Sequence, residues 1–252
     1  MVALSQLQMR AVETLSELWP EHRLVIIGAT AIGHHIGLPH RGTKDLDLVV
    51  TLELDEFPGV LAELEGWTQA EGMEHRFTAP DGLRLDILPA GPKLVARGYV
   101  DWPSGHRMSL LGMDLAITHA ELAAVHVGLA VAVASAASLV VLKMVAWLDR
   151  PERAKDLADL SHLMELHVRE DDERRFSDAM VQLGLRFEDQ SPYLLGVEVR
   201  RECAPTHRLA VERFLRDVPR GELAAHGPAR WRVDENVVDA ALAAFERGFA
   251  EQ

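Results

Sequence analysis

The chain has 252 residues, 48% of them hydrophobic and 26% charged, which is enough to bury a sizeable core as one large or two small domains. Its formal net charge of −13 excludes a general electrostatic pull towards nucleic acid, so any RNA contact must come from a local basic patch. Cys203 is the sole cysteine, which excludes an intrachain disulfide, matches a reducing cytoplasm, and reads as a small buried hydrophobe rather than a nucleophile.

The first nineteen residues, MVALSQLQMRAVETLSELW, are amphipathic and carry acidic side chains, so they predict a helix over Ser5–Trp19 and not a signal peptide. Pro20 closes it. A strand over Leu24–Ile27 leads into the small-residue turn Gly28-Ala29-Thr30 and a helix over Ala29–Ile36. A basic turn, His40-Arg41-Gly42-Thr43-Lys44, precedes a strand over Asp45–Thr51. Asp55 is a good N-cap for a helix reaching about Leu64, with Gly66 as its stop. Strands over Met73–Thr78 and Leu83–Leu88 flank Ala79-Pro80-Asp81-Gly82, which is hairpin-turn chemistry.

Residues 89–109 are rich in Gly and Pro and assign to no element; a strand is expected near Leu110–Ile117. Val125–Leu148 is the most apolar segment, but Gly128, Ser135, Ser138 and Lys143 interrupt it. It predicts a strand running to Val133 followed by a buried helix, not a membrane span. From Ser138 onward the pattern is helical. The expectation is therefore an α/β domain followed by a helical region, with the boundary between Ala120 and Ser138 and drawn at 1–130 and 131–252.

Asp45 and Asp47 carry the sharpest chemical signal. Side chains alternate along a strand, so the two carboxylates share one face while Leu46, Leu48 and Val50 share the other. Adjacent carboxylates repel unless a cation sits between them, and a hard divalent ion with oxygen ligands is the usual answer. Asp86 alternates with Leu85 and Ile87 in the same way, and joins the pair if its strand lies beside Asp45–Val50; otherwise it is a surface acid paired with Arg84 or another cation.

A small-residue turn, a helix and then D-x-D on the next strand resembles the nucleotidyltransferase superfamily. Lys143–Leu160, KMVAWLDRPERAKDLADL, is similar to the later motif of the AbiEii/AbiGii-type nucleotidyltransferase toxins. The resemblance implies an α+β core with a mixed sheet and flanking helices, and a helical C-terminal region that completes the active site. It implies transfer of a nucleoside monophosphate from a nucleoside triphosphate to an acceptor hydroxyl, with Mg²⁺ or Mn²⁺ held by Asp45, Asp47 and Asp86. Two such ions about 3.5–4 Å apart clamp the attacking and leaving oxygens.

Backbone N–H groups of Gly28, Ala29 and Thr30 at a helix start suit phosphate oxygens, although the family's commoner turn is Gly-Gly or Gly-Ser. Arg41 and Thr43 of the basic turn join them as expected nucleotide contacts. Lys143 lies in an apolar helix, so it either snorkels or meets an anion; the resemblance places it on the triphosphate, with Arg150 on the same helical face. Asp156 and Asp159, three apart, repel modestly and imply a facing cation such as Arg150 or Arg153. The resemblance makes Asp156 a catalytic or supporting residue; the plain alternative is acid enriched in a first helical turn. His34, His35 and His40 lack zinc-ligand spacing and are expected at the exit of the first core helix.

The resemblance also implies tRNA as one acceptor and an antitoxin protein as partner; cysteine usage and the interrupted apolar segment point to a cytoplasmic location and no membrane. A small molecule such as an antibiotic, or a protein side chain, is the alternative acceptor, and a non-catalytic nucleotide-binding module is the alternative outside catalysis.

Overall fold

A computed structural model of the chain describes residues 4–37, 43, 45–126 and 128–251. The described residues divide into two compact units, one from Met1–His34 with Arg41–Ser135 and the other from His35–His40 with Ala136–Gln252.

The first unit opens with α1 (Gln6–Leu18), β1 (Leu24–Ile27), α2 (Gly28–Ile36) and β2 (Asp45–Val50). It continues through α3 (Phe57–Leu61), β3 (Thr68–Ala70), β4 (Met73–Thr78), β5 (Arg84–Pro89) and α4 (Pro92–Arg97). It ends with β6 (Tyr99–Asp101), β7 (Arg107–Ser109), α5 (Met113–Thr118), β8 (Glu121–His126) and β9 (Leu129–Val133). Seven strands form one mixed sheet in the order β3-β4-β5-β2-β1-β9-β8, and β6 and β7 pair separately.

The centre of that sheet is apolar: Val25, Leu46, Leu48, Val50, Leu85 and Ile87 are fully buried. β2 runs antiparallel to β1 and parallel to β5, with Asp47 opposite both Ile27 and Asp86. Ser5 caps α1 in a reciprocal box: Gln8 N donates to Ser5 Oγ at 3.2 Å and Ser5 N donates to Gln8 Oε1 at 2.9 Å.

The second unit is helical: α6 (Ala136–Asp149), α7 (Ala154–Leu166), α8 (Asp178–Leu183), α9 (Gln190–Glu202), α10 (Pro205–Asp217), α11 (Arg220–His226), α12 (Ala229–Val233) and α13 (Glu235–Ala250). Trp147 of α6 meets Phe214 of α10 edge to face at 5.3 Å. Glu165 of α7 accepts from Arg230 Nε at 2.9 Å and from buried Trp231 Nε1 at 2.8 Å, tying α12 to α7. α9 and α13 cross where Gly196 and Gly248 let the backbones meet; a Cβ on either would collide with the carbonyl oxygen of Phe245 or Tyr193. No helix among the described residues is long and apolar enough to cross a membrane.

The structure corrects several sequence expectations. The strand expected near Leu110–Ile117 is helix α5, because left-handed Gly112 breaks the run and Met113, Leu115 and Ala116 bury a helical face. The Asp55–Leu64 helix shrinks to α3; Pro58 presets its start and Glu56, not Asp55, stands at the N-cap position. The single strand expected from Val125 to Val133 is a hairpin, β8 and β9, turned at Gly128 with φ +93°. The unassigned residues 89–109 hold α4 and the β6–β7 pair.

Candidate active site

Two adjacent strands, β2 and β5, carry the carboxylates, and a third, β4, lies beside them. Parallel pairing of β2 with β5 sets Asp47 opposite Asp86 and Asp45 opposite Arg84. Antiparallel pairing of β5 with β4 sets Asp86 opposite Arg76 and Arg84 opposite Thr78. Register partners share a sheet face, and residues two apart along a strand do too. One face therefore carries two neighbouring rows, Asp47–Asp86–Arg76 and Asp45–Arg84–Thr78.

The charges on that face are partnered. Arg76 Nε and Nη2 each lie 2.7 Å from Asp86 Oδ1 and Oδ2, a bidentate pair. Arg84 Nε donates to Asp45 Oδ1 at 2.8 Å. The Arg76 guanidinium is held above its ordinary pKa by its hydrogen bonds to Asp86 and, after the opposing effect of burial, by the charges of Asp86, Asp45 and Asp47. Among the described residues, no group of three or more His, Cys, Asp or Glu side chains is arranged to hold a metal ion. By chemical type the donors suit Mg²⁺: three hard carboxylates at neighbouring register positions of one sheet face.

Asp47 stands over the start of α2. Gly28 has φ +68°, and a Cβ there would lie 2.8 Å from Asp47 Cγ. Only glycine combines that backbone conformation with so close an approach. The Gly28-Ala29-Thr30 turn thus lies beside the carboxylate row. The Thr30 side chain is buried, and its hydroxyl accepts from Gln8 Nε2 at 3.4 Å. Thr43 Oγ1 donates to the Asp45 carbonyl at 3.2 Å, and Gln8 Nε2 reaches the same carbonyl at 3.3 Å. Gln8 was not apparent as a site residue from sequence, yet it is 5% exposed and ties α1 to the starts of both α2 and β2. Arg41, Lys44 and His40 lie outside the described residues.

The remaining sequence-predicted residues belong to the second unit. Lys143 Nζ lies 3.0 Å from Asp156 Oδ1 and 2.5 Å from Asp159 Oδ2, and both carboxylates are fully buried. Burial by itself would push the Lys143 ammonium down; the charges of Asp159 and Asp156 outweigh it and hold the pKa above its ordinary value. Arg153 Nε approaches Asp156 Oδ2 to 3.1 Å. The cation facing the two acids is thus chiefly Lys143, the residue expected on a triphosphate, with Arg153 in support. Arg150 is exposed at the end of α6. His35 meets His167 edge to face at 6.2 Å. A cavity of about 580 Å³ lined by Arg200, Glu212, Arg216, Arg220 and Phe249 contains none of the sequence-predicted site residues.

A family model described as nucleotidyl transferase AbiEii toxin, type IV toxin–antitoxin system, matches residues 10–244. No curated protein matches the chain. Similar solved structures include an antigenic nucleotidyltransferase-like protein from Paracoccidioides brasiliensis, at 15% identity over 71% of this chain and 88% of that one with a TM-score of 0.41. They also include the antibiotic-resistance factor ANT(2'')-Ia, at 17% identity over 71% of this chain and 90% of that one with a TM-score of 0.41.

Proposed function

The chain belongs to the AbiEii family of nucleotidyltransferase toxins, and on that premise we propose that it is a metal-dependent enzyme moving a nucleoside monophosphate from a nucleoside triphosphate to an acceptor hydroxyl, with pyrophosphate leaving. The observation that carries the metal-dependent part is the row Asp47–Asp86 with Asp45 beside it, set against the Gly28 turn.

Asp45, Asp47 and Asp86 would hold Mg²⁺ or Mn²⁺. When bound, such an ion polarises phosphoryl oxygens and makes the attacking hydroxyl more acidic. Asp86 would accept the proton of that hydroxyl. Backbone N–H groups of Gly28, Ala29 and Thr30 open α2 and would orient phosphate oxygens, with Arg41 and Thr43 assisting. In the second unit, Lys143 and Arg150 are assigned to phosphate as well, and Asp156 to holding Lys143 in place. Transfer RNA is the proposed acceptor, an antitoxin protein the proposed partner, and the cytoplasm the proposed location.

The test is incubation with Mg²⁺, each of the four α-labelled nucleoside triphosphates and total tRNA, with Asp45→Ala as control. Label on tRNA with the wild type alone supports the proposal. Label on a small molecule or a protein instead keeps the chemistry and replaces the acceptor. Nucleotide binding without turnover on any acceptor would contradict catalysis and leave a nucleotide-binding module.

A further inference from the structure

Arg76 faces the carboxylate cluster from a third strand. Its register partner is Asp86, whose own partner is Asp47, so the three stand in one row. Both Asp86 oxygens are engaged by the Arg76 fork at 2.7 Å. The Arg76 and Asp86 side chains are 31% and 16% exposed, so solvent screens their attraction only in part. The second cation on this face, Arg84, is 55% exposed and meets Asp45 through Nε. The better-buried of these two guanidiniums, Arg76, holds the acid that the proposed metal site needs.

We infer that Arg76 is the built-in counter-cation of Asp86, and that a divalent cation held by Asp45, Asp47 and Asp86 must displace it to be bound. The inference rests on the proposal that these three carboxylates hold a metal. A guanidinium and a divalent ion compete for the same oxygens and repel each other at that distance. Without any cation, three carboxylates on neighbouring positions of one face would destabilise the strand starts that carry them. Arg76 removes that repulsion at rest. It also sets a threshold. A bare ion must expel the guanidinium into water, whereas an ion arriving with a triphosphate brings anionic oxygens that can receive the same fork. The device thus favours metal that comes with nucleotide over metal alone.

The experiment is Mn²⁺ binding without nucleotide, read as free Mn²⁺ by electron paramagnetic resonance, for the wild type, Arg76→Lys, Arg76→Gln, Arg84→Gln and Asp47→Asn. Removing a facing positive charge should tighten Mn²⁺ binding by about tenfold in Arg76→Gln. Arg76→Lys keeps the charge and loses the fork, so it should fall between. Arg84→Gln, on the exposed pair, should shift binding far less. The thermal midpoint of Arg76→Gln should lie below the wild type without metal and rise further than the wild type on adding Mn²⁺, a readout independent of turnover. Binding to Arg76→Gln and Arg76→Lys no tighter than to the wild type would overturn the inference. Equal Mn²⁺ affinity in the wild type and Asp47→Asn would instead sink the metal assignment beneath it, so the two failures are distinguishable.

Discussion

Gly28 and Asp47 meet so closely that a single methyl group separates the native arrangement from a collision. Gly28→Ala combines that clash with φ +68° and should destabilise the first unit by roughly 1–3 kcal/mol, seen as a lower thermal midpoint with turnover falling alongside. Lys143 is the matching case in the second unit. Lys143→Met leaves Asp156 and Asp159 buried without their main cation, and should destabilise the protein by about 3–5 kcal/mol in denaturant unfolding near neutral pH. The pH dependence of the wild-type cluster follows from the lysine. With the lysine pKa raised, its contribution is fully present below the unfolded value and is lost only as pH climbs through the raised one, so mild alkali should leave it intact. Sequence alternation alone was enough to put Asp45 and Asp47 on one face. It also showed Lys143 out of place in its apolar helix, but not that its anions were Asp156 and Asp159, because that meeting depends on how α6 and α7 pack.

At the scale of elements, the hairpin turn Ala79-Pro80-Asp81-Gly82 sets the register of β4 on β5. A turn there places Thr78 opposite Arg84 and hence Arg76 opposite Asp86, so Arg76 was within reach of sequence reasoning. The pairing of β2 with β5 was not, because α3, β3 and β4 intervene and parallel neighbours are not adjacent in sequence. The helix at Met113–Thr118 was misread as a strand because a short apolar run carries no decisive period. Gly196 and Gly248 are where α9 and α13 touch. Gly248→Ala should push the backbones apart and destabilise the second unit by about 1–3 kcal/mol, even though alanine is the better helix former. Hydrogen exchange should show the loss concentrated in α9 and α13.

Over the whole molecule, the family match from residue 10 to residue 244 takes in parts of both units, so family membership is not a property of the sheet alone. The net charge of −13 sets a condition on an RNA acceptor. Only a local patch can hold it, and a patch making about three phosphate contacts should lose on the order of tenfold in affinity between 50 and 200 mM salt. Filter binding of tRNA across that range checks the expectation, and a salt-independent affinity would speak for a small or cationic acceptor. The claim on which the rest stands is that the row joining Asp47 to Asp86 is the catalytic centre. Its most direct measurement compares wild type, Asp47→Asn and Asp86→Asn for label transfer from α-labelled triphosphate, with thermal midpoints recorded on the same samples. The expected result is a loss of about 10²-fold or more in both variants while both remain folded. Either variant turning over at the wild-type rate would contradict it.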